Sequence, residues 1–121
     1  MIKIYYRPLN DRGWVDQHHA DIYMTRGDTL KASLSLLLRD GSEYVPTSSD
    51  TIRFAMKKRY KDAEPLVSVE IPPETMILQI DSDDTKDLRF GNYVYDIEIT
   101  YADGVVDTFL AGNLTLTEEV D

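Results

Sequence analysis

Asp81, Asp83, Asp84 and Asp87 place four carboxylates in one short segment, the oxygen-rich donor set that a hard cation such as calcium takes. A helix–loop–helix calcium site counted from Asp81 would need glycine at its sixth position and glutamate at its twelfth, and Lys86 and Asn92 stand there. The same carboxylates suit the positive end of a short helix, so Asp83 or Asp84 is read as the cap of a turn through Thr85–Leu88. His18 and His19, followed by Asp21, suggest a metal pair. Neighbours in an extended chain point to opposite faces, however, and a chain with no cysteine offers little else to zinc. No metal or other cofactor is expected.

Lys57, Lys58, Arg59 and Lys61 surround Tyr60, with Arg53 upstream, a mixture that could hold a nucleic acid or an anionic glycan. In a strand, though, Arg53 and Lys57 share the outward face. Across a sheet they would meet Asp96 and Glu98, each pair contributing up to about 1 kcal/mol. Cross-strand charge pairing is the expectation. For hydrolysis, Glu118 and Glu119 lie near the end of the sequence and Asp96 and Glu98 have basic partners. No nucleophile elbow, phosphate loop or serine–histidine–acid motif is present. The chain reads as a non-enzyme. Eight tyrosines and one tryptophan remain to be placed. Phe54, Tyr93, Tyr95, Tyr101 and Phe109 suit a core, whereas Trp14, Tyr44, Lys58 and Tyr60 are the candidate contacts with a partner.

The elements that must carry these residues are strands. Leu30, Ala32, Leu34, Leu36 and Leu38 alternate with Lys31, Ser33, Ser35 and other residues up to the turn dipeptide Asp40-Gly41. Ile52, Phe54 and Met56 alternate likewise, as do Tyr93, Tyr95, Ile97, Ile99 and Tyr101. Asp103-Gly104 predicts a hairpin into Val105–Leu110, and Gly112 predicts a bulge or kink before Leu114 and Leu116. Shorter strands are expected at Ile22–Arg26, Leu66–Ile71 and Met76–Ile80, with Ile2–Tyr6 as an edge strand. Residues 40–50 and 58–65 read as loops, and 7–19 as a polar segment of no definite type. The prediction is an all-β domain, an immunoglobulin-like β-sandwich of about seven strands with one short helical turn near 83–88. Tyr93 or Tyr95 would fill the tyrosine corner that such folds carry before the sixth strand. Residues 21–118 form the sandwich, and 1–20 an N-terminal extension.

Composition narrows the role. With 121 residues there is room for one core, and the absence of cysteine excludes disulfides. The formal charge of −9 repels phosphate backbones, so no nucleic acid is expected as a partner. No apolar run approaches the roughly 20 residues that cross a bilayer, and none resembles a signal peptide, so no membrane is expected and synthesis is placed in the cytoplasm.

Four stretches carry a resemblance. They are Met24-Thr25-Arg26-Gly27-Asp28-Thr29-Leu30, Ile52-Arg53-Phe54-Ala55-Met56-Lys57-Lys58, Asp84-Thr85-Lys86-Asp87-Leu88, and Phe90-Gly91-Asn92-Tyr93-Val94-Tyr95-Asp96-Ile97-Glu98 running on to Asp103-Gly104. In order and spacing the segment 22–118 resembles small β-sandwich proteins of phage and prophage tails and baseplates. The N-terminal domain of siphophage upper baseplate proteins is one example. The resemblance implies a structural component that binds other phage structural proteins or copies of itself, in the host cytoplasm during assembly and then in the virion. It supplies no catalytic residues, and it makes Arg26-Gly27-Asp28-Thr29 a turn into a strand. The alternative is a carbohydrate-binding module that stacks glycans on exposed aromatics.

Overall fold

The computed structural model describes residues 3–8, 13–16, 21–37 and 43–118, and the side-chain surroundings of 21–35, 44–108 and 110–118. The fold is all-β, with two sheets that share one core. The long central strands form where period two is strictest. Strand β4 (Leu30–Leu37) buries Leu30, Ala32 and Leu34, and Lys31 between them faces solvent. The environments of Leu36 and Leu38 lie outside the described residues. On one side β4 pairs antiparallel with β1 (Lys3–Pro8). Its other side is shared, first with β8 (Ile77–Ile80) and further along with β5 (Glu43–Tyr44). The amide of Leu34, between the two, donates to the carbonyl of Met76 at 2.9 Å.

The second sheet has the order β2 (Gly13–Asp16), β3 (Asp21–Thr25), β10 (Val106–Thr117), β9 (Gly91–Thr100), β6 (Thr51–Lys57), β7 (Val67–Ile71). Its neighbours run antiparallel except β3 and β10, which are parallel and match Ile22 to Leu114 and Met24 to Leu116. All four of those side chains are buried. Ile52, Phe54 and Met56 of β6 meet Tyr95, Ile97 and Ile99 of β9, and the Phe54 and Tyr95 rings stack at 5.4 Å. Burying each such side chain favours folding by roughly 1.5–3 kcal/mol.

Several expectations need correction. Strand β1 is the edge strand expected near residues 2–6, but the segment read as having no definite type also contributes β2, which joins the other sheet. The 40–50 loop contains the short strand β5. The bulge in β10 falls between Thr108 and Leu110, while Gly112 keeps register opposite Tyr95. The helix α1 (Ser82–Thr85) starts earlier than predicted, with Asp81 as its N-cap and Asp84 accepting the Asp81 amide at 2.8 Å. Thr85 is buried because its hydroxyl accepts the amide of Gly27 at 2.9 Å. That contact fixes the turn after β3, where Gly27 has φ +84° and the Asp28 amide returns to the Thr25 carbonyl. Arg26-Gly27-Asp28-Thr29 is thus a turn into β4. Tyr93 donates its hydroxyl to the Arg89 carbonyl, four residues back, at 2.6 Å. That reach to upstream backbone is the contact expected of a corner tyrosine.

Candidate interaction surfaces

Of the candidate contact residues, Lys58 and Tyr60 lie at one end of β6 and Tyr44 at the other. Tyr44, on β5, is half-buried and donates its hydroxyl to Asp50 Oδ2 at 2.6 Å. Asp50 is buried, and the same oxygen accepts the Thr47 amide at 3.0 Å, so the carboxylate closes the turn that leads into β6. The Asp50 hydrogen bond, then burial, push the Tyr44 hydroxyl up to about 12 from its ordinary 10.0. Its ring meets Tyr101 edge-on at 6.1 Å. The Tyr101 hydroxyl is also raised, by burial first and then by Asp107, Asp50 and Asp103.

Apolar side chains surround this pair and remain wet. Tyr101 receives Gly104 in the β9–β10 turn and bonds back to the Val105 carbonyl at 2.9 Å. Val105 and Val106 are each 55% exposed there, and Val45, next to Tyr44, is 70% exposed. Segments 43–51 and 100–108 contain Glu43, Asp50, Asp103 and Asp107 and no lysine or arginine. One end of the molecule is therefore acidic and studded with valine. Sequence reasoning missed it because Val105 and Val106 read as ordinary strand residues, and nothing local ties them to Tyr44.

Lys58 and Tyr60 lie at the other end of β6. Lys58 Nζ donates to the Asn92 carbonyl at 2.9 Å and sits 4.8 Å from the Tyr93 ring centroid. Tyr60 directs its hydroxyl to the carbonyls of Tyr95 and Gly112, at 3.3 and 3.2 Å, while 55% of its surface stays exposed. Burial and Asp96 raise its hydroxyl, against a lowering by the Gly112 carbonyl. Arg59 and Lys61 point to solvent, Arg59 lying 3.8 Å from Asp62. Exposed Phe90 lies beneath the Arg26 guanidinium, 5.2 Å from ring centre. This end is basic and aromatic. Trp14 is on β2 opposite Tyr23, and its side chain lies outside the described residues.

Between the ends, the outer face of the six-stranded sheet holds the expected charges in the expected register, with Arg53 opposite Glu98 and Ala55 opposite Asp96. Ion pairs do not follow. Among the described residues none joins Arg53 or Lys57 to Asp96 or Glu98, and Arg53 Nε donates to Ser68 Oγ at 2.7 Å. An exposed pair gains too little to hold two long side chains in place when a hydroxyl is nearer. These residues line an open depression of about 190 Å³ with Pro65 at its rim, so Asp96 and Glu98 do share a hollow, which the strand pattern had not suggested. The hollow is open to water and holds no serine, threonine, cysteine or histidine.

The aspartates near α1 have local duties. Asp84 accepts the Asp81 amide, Asp81 accepts Gln79 Nε2 at 2.6 Å, and Asp83 pairs with Lys86 at 3.0 Å. No three acidic or histidine side chains among the described residues converge as a cation site would require. His18 and His19 lie outside the described residues. At the sheet margin, β7 pairs only with β6 among the described residues. No protein-family model matches this sequence, and no curated protein matches it.

Proposed function

We propose that this chain is a non-catalytic structural module that acts by binding protein, of the phage or prophage tail and baseplate kind that segment 22–118 resembles. Its scaffold is an immunoglobulin-like sandwich, a reading supported by the Tyr93 corner and by the parallel β3–β10 pair. The carrying observation is the edge of β7, a strand bonded to β6 alone among the described residues. A strand bonded on one side presents alternate amides and carbonyls on the other, ready for a strand of another protein. Pro65 and Pro72-Pro73 bracket the edge and limit it to a short segment, which suits a defined partner better than open-ended stacking of strands. The module is made in the host cytoplasm and enters the particle there. A carbohydrate platform has less support, since Tyr60 is the one exposed tyrosine among those described.

The test is composition and shape of particles. Tails purified from a strain carrying the gene are expected to contain the protein in fixed ratio to the major tail protein by mass spectrometry. Particles that lack it, together with unaltered tails after deletion of the gene, would remove the proposal.

A further inference from the structure

We propose that copies of this chain associate head to tail, the basic, aromatic β6–β7 end of one docking on the acidic, valine-rich β9–β10 end of the next. This deepens the reading of the domain as an interaction module and rests on it.

The argument begins with charge. Segments 57–66 and 87–92 contain Lys57, Lys58, Arg59, Lys61 and Arg89 against Asp62, Glu64 and Asp87, an excess of two bases. Segments 43–51 and 100–108 contain four acids and no base. A chain of net −9 that gathers basic residues at one end and excludes them from the other has a polar axis. Strand β6 sets that axis, because Asp50 immediately precedes it and Lys58 immediately follows it. Antiparallel β9 agrees, starting at Gly91 beside Lys58 and ending at Thr100.

The two ends cannot neutralise each other within one molecule. At about 3.3 Å per residue β6 alone holds them roughly 20 Å apart, beyond two Debye lengths of about 8 Å at physiological ionic strength. Between copies nothing separates them. Each end also supplies what charge alone lacks: Val45, Val105 and Val106 on one, Tyr60, Leu66 and Phe90 on the other, all exposed. Apolar anchors rimmed by complementary charge are the anatomy of a protein contact. Because the two surfaces differ, the contact is heterologous. It builds a ring if the rotation closes and an open chain if it does not, and it does not make a two-fold dimer.

The experiment uses the pure full chain in sedimentation velocity over a wide concentration range. Weight-average mass should rise above the 13.9 kDa monomer at about 50 mM salt and return to it near about 500 mM. With Asp62, Glu64 and Asp87 beside them, Arg59→Glu with Lys61→Glu turns the basic end acidic, and Asp103→Lys with Asp107→Lys cancels the charge of the acidic end. Each variant alone should lose association about tenfold or more. The two mixed should recover it. Val106→Ser, a neutral change outside the turn bonds, should weaken association without altering its salt dependence, and circular dichroism reports that each variant is folded. A wild-type chain that stays at 13.9 kDa under all conditions overturns the head-to-tail contact, while particle composition still judges the interaction module separately. Association indifferent to either reversal, or abolished by Ser68→Lys on β7 instead, overturns it as well.

Discussion

Tyr44 shows how a single hydroxyl is converted from surface to structure. The carboxylate that receives it is buried, so removing the donor leaves that Asp50 oxygen with the Thr47 amide. Tyr44→Phe is expected to lower unfolding free energy by about 1–2 kcal/mol, measured by urea denaturation. The pH dependence has a definite sign. A tyrosine whose folded pKa is raised stabilises the fold while it keeps its proton. Its contribution is complete below pH 10.0 and fades as pH climbs through about 12. Ultraviolet titration should show one tyrosine ionising near that upper value in wild type and not in Tyr44→Phe. Tyr93→Phe, which loses the bond to the Arg89 carbonyl, should cost about 1 kcal/mol and leave the strand content intact by circular dichroism. The Tyr93 bond was legible in part, because the expected corner named Tyr93 or Tyr95 at the start of that strand. The Tyr44 role was not, since Asp50 carries no local pattern that marks it as an acceptor.

At the scale of elements, alternation revealed β4, β6 and β9 because each buries alternate side chains along its described length, which forces a period of two. It failed at β2 and β5, where pairing is too short to impose a period. The bulge is instructive. Before it, Asp107 shares the ladder position of inward-facing Ile99. After it, Leu110, Leu114 and Leu116 face Ile97, Tyr93 and Gly91 with the opposite numerical parity. One residue must be absorbed between them, and the adjacent apolar pair Phe109-Leu110 was the signal, not Gly112. Gly104 is a different case. At φ +88° with nothing within 4 Å of an added Cβ, Gly104→Ala meets backbone strain alone. Thermal unfolding should report a loss of about 1–2 kcal/mol with unchanged strand content.

For the whole molecule, the decisive contacts are the distant ones. Thr25 and Thr117 hydroxyls lie 3.3 Å apart although 92 residues separate them, and Ile22 and Leu114 pack in the same ladder. Ile22→Ala and Leu114→Ala should each cost about 2–5 kcal/mol, and the double variant should depart from additivity by about 0.5 kcal/mol or more. An additive pair would show that the parallel ladder does not couple the two strands. This scale is also where the sequence was least informative about partners. The acidic end assembles from two segments, 43–51 and 100–108, and becomes a surface only once Tyr44 and Tyr101 touch. The phage reading came from an ordered resemblance, which charge and periodicity could not have supplied.

The parallel β3–β10 pair decides how the domain answers tension. Pulling from the start of β3 and the end of β10 draws the two strands past each other along their length. Their slanted ladder bonds then strain together in shear, whereas an antiparallel hairpin such as β9–β10, tugged at its open end, gives way bond by bond. A module threaded into a longer assembly through these two points would resist stretching far better than its modest size suggests.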